Sequence, residues 1–239
     1  MEGERALVRL NGVTKSYGAK TAVRALSLQV ARGEYVAIVG PSSCGKTTAL
    51  RIIAGLEDPD FGEVWLQGKL ANSPALLIPP YKRGVGMVFQ SLALWPHMTV
   101  EQHLAYVVGK VRPRRSVLGE IDQLLDRGKL TSKRRSYPGE MSGGEQQRLA
   151  LLRAVAVSPS LLLLDEPMSS LDRQARGELA VEIKNLRAAA DFTVLHVTHD
   201  WRDVRGLADR VVELEEGSCR RQSSAANYFQ ERIAQESAL

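Results

Sequence analysis

The feature that most constrains the fold is a glycine-rich turn that joins a short apolar run, Tyr35–Val39, to a helical pattern at residues 47–54. The turn, residues 40–47, has the sequence Gly-Pro-Ser-Ser-Cys-Gly-Lys-Thr and fits the pattern G-x-x-x-x-G-K-S/T. Backbone N–H groups of such a turn, together with a helix N-terminus, surround phosphate groups. A turn that merely connects strand and helix is the alternative. The flanking strand and helix favour a phosphate-binding loop, which we call the phosphate loop.

In a phosphate loop, Lys46 brings positive charge to the β- and γ-phosphates, and the Thr47 hydroxyl binds Mg²⁺. A pair of acidic residues later in the chain supports this prediction. A second apolar run, residues 161–164, ends at Asp165 and Glu166. Open α/β sheets bind ligands at the carboxyl ends of their strands. We therefore expect Asp165 to hold Mg²⁺ and Glu166 to orient or deprotonate a water, with a solvated acidic turn as the alternative.

The order of apolar runs indicates an α/β fold. Short buried-type strands alternate with helical patterns such as residues 174–187, which predicts a mostly parallel sheet flanked by helices. Earlier segments alternate apolar and polar residues between glycines and favour an antiparallel sheet beside it. The predicted parallel strands are residues 35–39, 161–164 and 192–197, and the predicted antiparallel strands are residues 7–13, 26–30 and 63–67.

The chain has a size that suits one domain, because its 239 residues can bury a single core. Residues 92–155 have helical patterns and no clear strand, and the tail after about residue 220 has a weak helical pattern. We therefore expect one domain over residues 1–239. Its nucleotide-binding core, with the antiparallel β subdomain, spans residues 1–91 and 156–239, and a helical subdomain is inserted at residues 92–155.

A further motif resembles a known family. Residues 141–148, Met-Ser-Gly-Gly-Glu-Gln-Gln-Arg, are similar to the Leu-Ser-Gly-Gly-Gln signature of ATP-binding cassette (ABC) ATPases and precede Asp165 at that family's spacing. Ser142 and Glu145 also fit a helix capping box. Capping alone does not explain the glycine pair, since each glycine costs up to about 1 kcal/mol inside a helix. The sequence is identified as a member of the ABC ATPases, whose core is a P-loop NTPase fold.

The resemblance extends along the chain and implies a full set of site residues. It implies that Tyr17 stacks on adenine, that Gln90 is the Q-loop glutamine, that Asp172 belongs to the D-loop and that His199 contacts the γ-phosphate. The implied catalytic residues are Lys46, Gln90, Glu166 and His199, with Thr47, Gln90 and Asp165 as Mg²⁺ ligands. The implied nucleotide-binding residues are Tyr17, Gly40, Pro41, Ser42, Ser43, Cys44, Gly45, Lys46, Thr47 and Thr48. The residues expected to contact the nucleotide of an opposite subunit are Ser142, Gly143, Gly144 and Glu145.

Two residues depart from the family pattern. Ser43 stands where the family usually has glycine, and a non-glycine residue is penalised there if φ is positive. We therefore expect Ser43 either to be accommodated or to weaken nucleotide binding. Glu145 replaces the usual glutamine of the signature and adds negative charge near a phosphate. Arg148 is the candidate that compensates this charge.

The resemblance also implies partners. It implies an ATP-hydrolysing subunit with ATP and Mg²⁺ as cofactors, which forms a homodimer on binding ATP and docks two transmembrane permease subunits near residues 90–100. Residues 84–100 look like those of importers for sugars, polyamines, oxyanions or ferric iron, which also imply an external solute-binding protein. Many of these ATPases carry a regulatory domain of about a hundred further residues, and we expect this chain to lack it. An exporter ATPase and a soluble ABC ATPase remain alternatives, although heptad insertions and zinc cysteines are not found in the sequence.

Composition bears on location and partners. No apolar run approaches the roughly 18–20 residues that cross a bilayer, and the first five residues are polar, so we expect a cytoplasmic chain. The resemblance implies that it works at the inner face of the membrane. The net charge is +5, but the basic residues are scattered among acidic ones, which does not favour a nucleic-acid partner. Its basic stretch, residues 112–135, is either a solvated loop or a surface for anionic headgroups or a partner. The cysteines, Cys44 and Cys219, have neither disulfide nor metal spacing.

Three histidines besides His199 have expected roles outside catalysis. His196 lies inside a predicted strand and is expected to be structural. His97 and His103 follow Gln90, in the segment where the resemblance implies docking of the membrane subunits, so we expect them at a contact surface.

Overall fold

The computed structural model describes residues 6–111, 113, 116–190 and 192–237. Within these residues the chain forms two β-sheets and six α-helices. The first sheet is antiparallel, has the order β2-β1-β4-β5-β6, and begins with a hairpin whose turn contains Gly18 at a φ of 58°. Its strands are β1 Ala6–Tyr17, β2 Lys20–Ala31, β4 Phe61–Leu66, β5 Lys69–Ser73 and β6 Leu76–Leu77.

The second sheet has the order β11-β10-β3-β9-β8-β7 and is parallel except for β11, which pairs antiparallel with β10. Every residue of β3, β8 and β9 is buried, as expected for central strands that are covered on both faces. Its strands are β3 Tyr35–Val39, β7 Val85–Val88, β8 Leu161–Asp165, β9 Thr193–Thr198, β10 Arg210–Glu215 and β11 Ser218–Ser224.

The register of this sheet aligns the strand ends that carry the candidate site. Val39 pairs with Thr198 on one side, and Asp165 pairs with Val197. Because these strands are parallel, the phosphate loop, the acidic pair and His199 all follow from the same edge of the sheet.

The helices cover the sheets and also build a separate helical lobe, which we define as residues 92–155. The helix α1 follows the phosphate loop and ends at Gly55, whose φ of 80° suits glycine. The lobe has a hydrophobic core of its own, which includes Val100, Leu104, Leu125 and Leu149. The helices are α1 Lys46–Ala54, α2 Val100–Val111, α3 Val117–Arg127, α4 Gly143–Val155, α5 Arg173–Ala189 and α6 Ala225–Ser237.

The α/β fold class predicted from the sequence is confirmed, with differences in detail. The strands β5, β6, β7, β10 and β11 lie outside the strands predicted from the pattern. In β7 the apolar pattern is interrupted by Gly86, where a Cβ would lie 2.4 Å from the carbonyl oxygen of Ala154. The tail is not only a weak helix, because β11 precedes α6.

The basic stretch at residues 112–135 is partly paired. Arg112, Arg114 and Arg115 lie outside the described residues. Arg134 contacts Glu101 at 2.8 Å and Asp122 at 2.7 Å. These ion pairs connect α3 and the segment after it with α2, so part of the charge is used within the lobe. None of the helices in the described part of the chain combines the length and the apolarity that a membrane crossing needs.

Candidate functional site

The phosphate loop is held between two strands from different sheets. Gly45 has a φ of 100°, and a Cβ at this position would lie 2.0 Å from the carbonyl oxygen of Ala22 in β2. A Cβ at Gly40 would lie 2.2 Å from the carbonyl oxygen of Leu214 in β10. Both positions therefore require glycine, because any side chain would displace the loop from its supports.

Lys46 and Thr47 connect this loop to the acidic strand end. The Lys46 ammonium is buried and donates to the carbonyl oxygens of Gly40 and Pro41, each at 2.8 Å. The Thr47 hydroxyl donates to Asp165 Oδ1 at 2.8 Å. Burial raises the pKa of Asp165, while its hydrogen bond from Thr47 opposes that shift. The structure thus brings together the hydroxyl and the carboxylate that the sequence proposes as metal ligands.

Glu166 and His199 form a second contact at the same edge. Glu166 Oε2 lies 3.0 Å from His199 Nδ1. The backbone of Glu166 has a φ of 47°, in the left-handed region that L-residues rarely adopt, and its N–H donates to the carbonyl of Val197 at 3.0 Å. Such strained conformations at strand ends are concentrated in functional sites.

An open cavity of about 430 Å³ unites several of the predicted residues, and we call it the nucleotide cavity. Its volume is within the range of small-molecule sites. Tyr17 is half exposed at this cavity, and burial of its hydroxyl, followed by a hydrogen bond with Glu57, raises the pKa of Tyr17. The lining residues are Tyr17, Lys20, Ala22, Ser42, Ser43, Gly45, Lys46, Thr47, Thr48, Gln90 and Glu166.

The signature and D-loop residues are all described by the structure, and none of them lines the nucleotide cavity. Ser142 is exposed at the N-terminus of α4 and accepts from the Glu145 N–H at 3.3 Å, while Glu145 accepts from the Ser142 N–H at 2.9 Å. The capping box is therefore present. Asp172 is likewise the N-cap of α5 and accepts from the Ala175 N–H at 2.8 Å.

The two departures from the family pattern have structural outcomes. Ser43 has a φ of 65°, so this position does take the conformation that favours glycine. The charge of Glu145 is compensated by Lys133 at 3.4 Å. The expectation that Arg148 compensates it is wrong, because Arg148 instead contacts Glu178 at 3.3 Å.

Two histidine expectations are also resolved. His196 is fully buried with its Nδ1 at 2.7 Å from the Tyr35 hydroxyl, and burial lowers the pKa of His196 to about 3, which confirms a structural role. His97 is exposed. The expectation of a surface contact is wrong for His103, which is buried and accepts from the Trp95 N–H at 2.9 Å.

Comparison with known proteins identifies the family. Residues 23–169 match the family model described as ABC transporter. The chain belongs to the ABC transporter family. The family match covers the phosphate loop, Gln90, the signature residues and the acidic pair, so the recognition made from these motifs is confirmed.

Curated relatives within this family are import ATP-binding proteins. The chain is 39% identical over 230 residues to the spermidine/putrescine import ATP-binding protein PotA of Rubrobacter xylanophilus, covering 96% of this chain and 60% of that protein. It is 44% identical over 196 residues to the Fe(3+) ions import ATP-binding protein FbpC 2 of Rhizobium meliloti, covering 82% of this chain and 49% of that protein. The chain thus spans about half to three fifths of the length of these relatives.

Solved ABC cassettes share the fold. A dimeric post-hydrolysis state of the ATP-binding cassette MJ0796 bound to ADP and Pi matches with a TM-score of 0.81 and 29% identity, covering 91% of this chain and 98% of that chain. The structure of cbiO1 from Clostridium perfringens matches with a TM-score of 0.83 and 22% identity, covering 96% of this chain and 92% of that chain. The second likeness bears on the fold alone.

Some residues at this site carry no local sequence signal. Lys20 and Ala22 line the nucleotide cavity from β2, and only the docking of that strand on the phosphate loop brings them there. Arg176 in α5 donates to the carbonyl of Leu171 beside Asp172 and reaches the segment after His199. Its partners are far apart in the sequence, so a motif search does not find it.

Proposed function

We propose that this chain binds Mg-ATP between two copies of itself and hydrolyses it to power a membrane transporter, most closely a binding-protein-dependent importer. The observation that carries the proposal is the convergence of the phosphate loop, the Thr47–Asp165 contact and the Glu166–His199 contact at one edge of the sheet. If the glycine turn only connected a strand to a helix, there would be no reason for a lysine, a hydroxyl and two carboxylates to converge here.

The residues at this edge suit Mg²⁺. Hard divalent cations prefer oxygen ligands, and the Thr47 hydroxyl and the buried Asp165 carboxylate supply two oxygens 2.8 Å apart. Gln90, which lines the same cavity, is the third proposed ligand. When bound there, Mg²⁺ neutralises charge on the phosphate oxygens.

The other side chains have separate proposed tasks. The Lys46 ammonium exchanges its two loop carbonyls for phosphate oxygens, and the phosphate loop (except Pro41, which has no N–H) and Thr48 donate backbone N–H groups. The Tyr17 ring stacks on the base. Glu166 orients the attacking water and accepts its proton, while His199, held against Glu166, contacts the γ-phosphate.

A homodimer completes this site. The exposed N-terminus of α4 carries Ser142, Gly143, Gly144 and Glu145. None of these four residues, all of which the structure describes, lines the nucleotide cavity of its own chain. A helix N-terminus with small residues suits an anion, so we propose that these residues contact the ATP of the opposite subunit. The dimeric ABC cassettes among the structural relatives support this arrangement.

Transport is proposed from the relatives. They are named for import of spermidine and putrescine, sulfate and thiosulfate, ferric ions, and trehalose and maltose, which supports an importer and leaves the solute open. We propose that two permease subunits dock near residues 90–100, that an external solute-binding protein delivers the solute, and that the chain works at the inner membrane face. The separate core of the helical lobe supports the division into residues 92–155 and a nucleotide-binding core formed by residues 1–91 and 156–239.

The test is phosphate release by the purified chain with Mg-ATP, compared with Glu166→Gln. This substitution removes the proposed base, so we expect turnover to fall by about 100-fold or more while ATP still binds. Size-exclusion chromatography with Mg-ATP should then show an accumulated dimer. Glu178→Gln, which changes an exposed carboxylate on α5, is the control and should retain turnover.

Two results would contradict the proposal at different levels. A wild-type chain that neither binds nor hydrolyses ATP would exclude the enzyme, and near-normal turnover of Glu166→Gln would exclude the role of Glu166. An exporter or a soluble ATPase is distinguished from an importer by identifying the membrane subunits that co-purify with the chain.

A further inference from the structure

Arg176 joins two segments that the motifs treat separately. Its Nε donates to the carbonyl oxygen of Leu171 at 2.9 Å, next to the D-loop residue Asp172. Its Nη1 lies 3.4 Å from Asp200 Oδ2 and 3.3 Å from Asp203 Oδ1. The planar guanidinium suits this task, because it presents several donors in fixed directions.

The carboxylates that Arg176 contacts fix the backbone around His199. Asp203 has a side chain only 4% exposed and accepts from the Thr198 hydroxyl at 2.9 Å. The same hydroxyl accepts from the Asp200 N–H at 3.1 Å. Thr198 and Asp200 are the two neighbours of His199 in the chain. Arg176 therefore holds both flanks of this histidine through one buried carboxylate and one partly exposed carboxylate.

The position of His199 depends on this support. Its side chain is 45% exposed, so packing holds it only in part, and its contact with Glu166 is a single one at 3.0 Å. Burial raises the pKa of Asp203, and Arg176 opposes that shift by stabilising the charged carboxylate. Without Arg176, Asp203 would lose its cation and the turn at residues 200–204 would lose a fixed anchor.

Two residues near Arg176 in the chain, Leu171 and Ala175, pack against the signature residues. A Cβ at Gly143 would lie 3.9 Å from Leu171 Cδ2, and one at Gly144 would lie 3.6 Å from the Ala175 Cβ. The N-terminus of α4 thus packs on the residues that precede and begin α5. A displacement of the signature residues is therefore passed to Leu171, whose carbonyl accepts from Arg176, and to Ala175, which precedes Arg176 in α5.

We propose that Arg176 is a positioning residue that couples the signature and D-loop end of the chain to the His199–Glu166 pair. The inference rests on the proposed function, in which the signature residues contact one ATP of the dimer and His199 contacts the other. Arg176 is then a physical link, within one subunit, between the two ATP sites. Coupling between sites is measured as cooperativity.

The test compares steady-state ATP hydrolysis by the purified chain with that of Arg176→Met and Arg173→Met. Arg173 is exposed on the same helical turn, so its substitution removes the same charge as a matched control. We expect Arg176→Met to bind a fluorescent ATP analogue as the wild type does, to lose turnover by about tenfold, and to show a Hill coefficient for ATP reduced toward one. Arg173→Met should retain both quantities.

Two further variants address folding. Arg176→Lys keeps the charge but cannot span the Leu171 carbonyl and both carboxylates, so it should fold and still lose cooperativity. Arg176→Met combined with Asp203→Asn removes the uncompensated buried carboxylate and should fold with the same loss of cooperativity.

Several outcomes would overturn the inference while leaving the proposed function intact. They are a wild-type Hill coefficient near one, or a folded Arg176→Met or Arg176→Lys with wild-type turnover and cooperativity. A wild-type chain without ATP binding or hydrolysis would instead refute the proposed function itself.

Discussion

Ser43 has a left-handed backbone conformation in the phosphate loop, with a φ of 65°, and its substitution by glycine has a calculable effect. An L-residue in this conformation costs about 1–2 kcal/mol relative to its ordinary states. Glycine avoids that cost but loses about 0.5–1 kcal/mol more backbone entropy on folding. Ser43→Gly should therefore leave the free energy of unfolding unchanged or raise it by up to about 1.5 kcal/mol.

The strain belongs to folding, because the conformation is present in the free chain. Of the two sequence-based alternatives, accommodation of Ser43 or weaker nucleotide binding, this favours accommodation, and we expect Ser43→Gly to bind ATP within about twofold of the wild type. The matched control is Ser42→Gly, where φ is negative and no strain is relieved. That variant should lose about 0.5–1 kcal/mol of stability.

Thermal unfolding followed by circular dichroism, without nucleotide, measures the difference. The two variants should differ by about 1–2 kcal/mol, and for a chain of this size each kcal/mol shifts Tm by about 2–4 °C. Equal Tm values for the two variants would refute the assignment of strain to Ser43. A tenfold gain in ATP affinity for Ser43→Gly at unchanged Tm would show that the penalty arises on binding.

Two other substitutions test buried charges. Arg83 is buried, its pKa is lowered to about 10 by burial, and Arg83→Met should destabilise the fold by about 2–4 kcal/mol in urea unfolding, since it leaves buried carbonyls unpaired. A loss below about 1 kcal/mol would contradict this. The carbonyl oxygens that accept from Arg83 belong to Ile52, Ile53, Ala71 and Ile78. Burial raises the pKa of Glu182 to about 7, so the folded state holds a proton that the unfolded state releases, and stability falls as pH rises from about 4.5 to 7. Glu182→Gln should therefore raise the free energy of unfolding by about 1–3 kcal/mol at pH 8 and change it little at pH 4.5. An equal effect of Glu182→Gln at both pH values would refute the assignment.

The parts of the fold that sequence predicts are those with local causes. The phosphate loop is found because β3, the glycine turn and α1 are contiguous, and each has its own pattern. The acidic pair is found because it ends a fully apolar strand, and the capping box at Ser142 because its two partners are three residues apart.

The parts that sequence misses depend on contacts between distant segments. Gly86 interrupts the pattern of β7 because the backbone of Ala154 approaches it, and no residue near Gly86 indicates this. His103 is a polar residue that the sequence alone places at the surface, yet it is buried and its Nε2 accepts a hydrogen bond from the backbone N–H of Trp95. Arg176 likewise has its carboxylate partner Asp203 only because α5 lies beside the turn that follows β9.

The close approach of Gly45 to Ala22 has a mechanical consequence. Because the phosphate loop touches the backbone of β2, and the strands β1–β4 share one hydrophobic core with α1, the base-facing and phosphate-facing walls move as one rigid body. The helical lobe packs around a separate core, so rotation of this lobe about its junctions is the softer degree of freedom. The distance between fluorescent probes at the exposed positions Arg51 in α1 and Phe61 in β4 should accordingly stay fixed through the ATP cycle, while the distance from either probe to one on α3 should change.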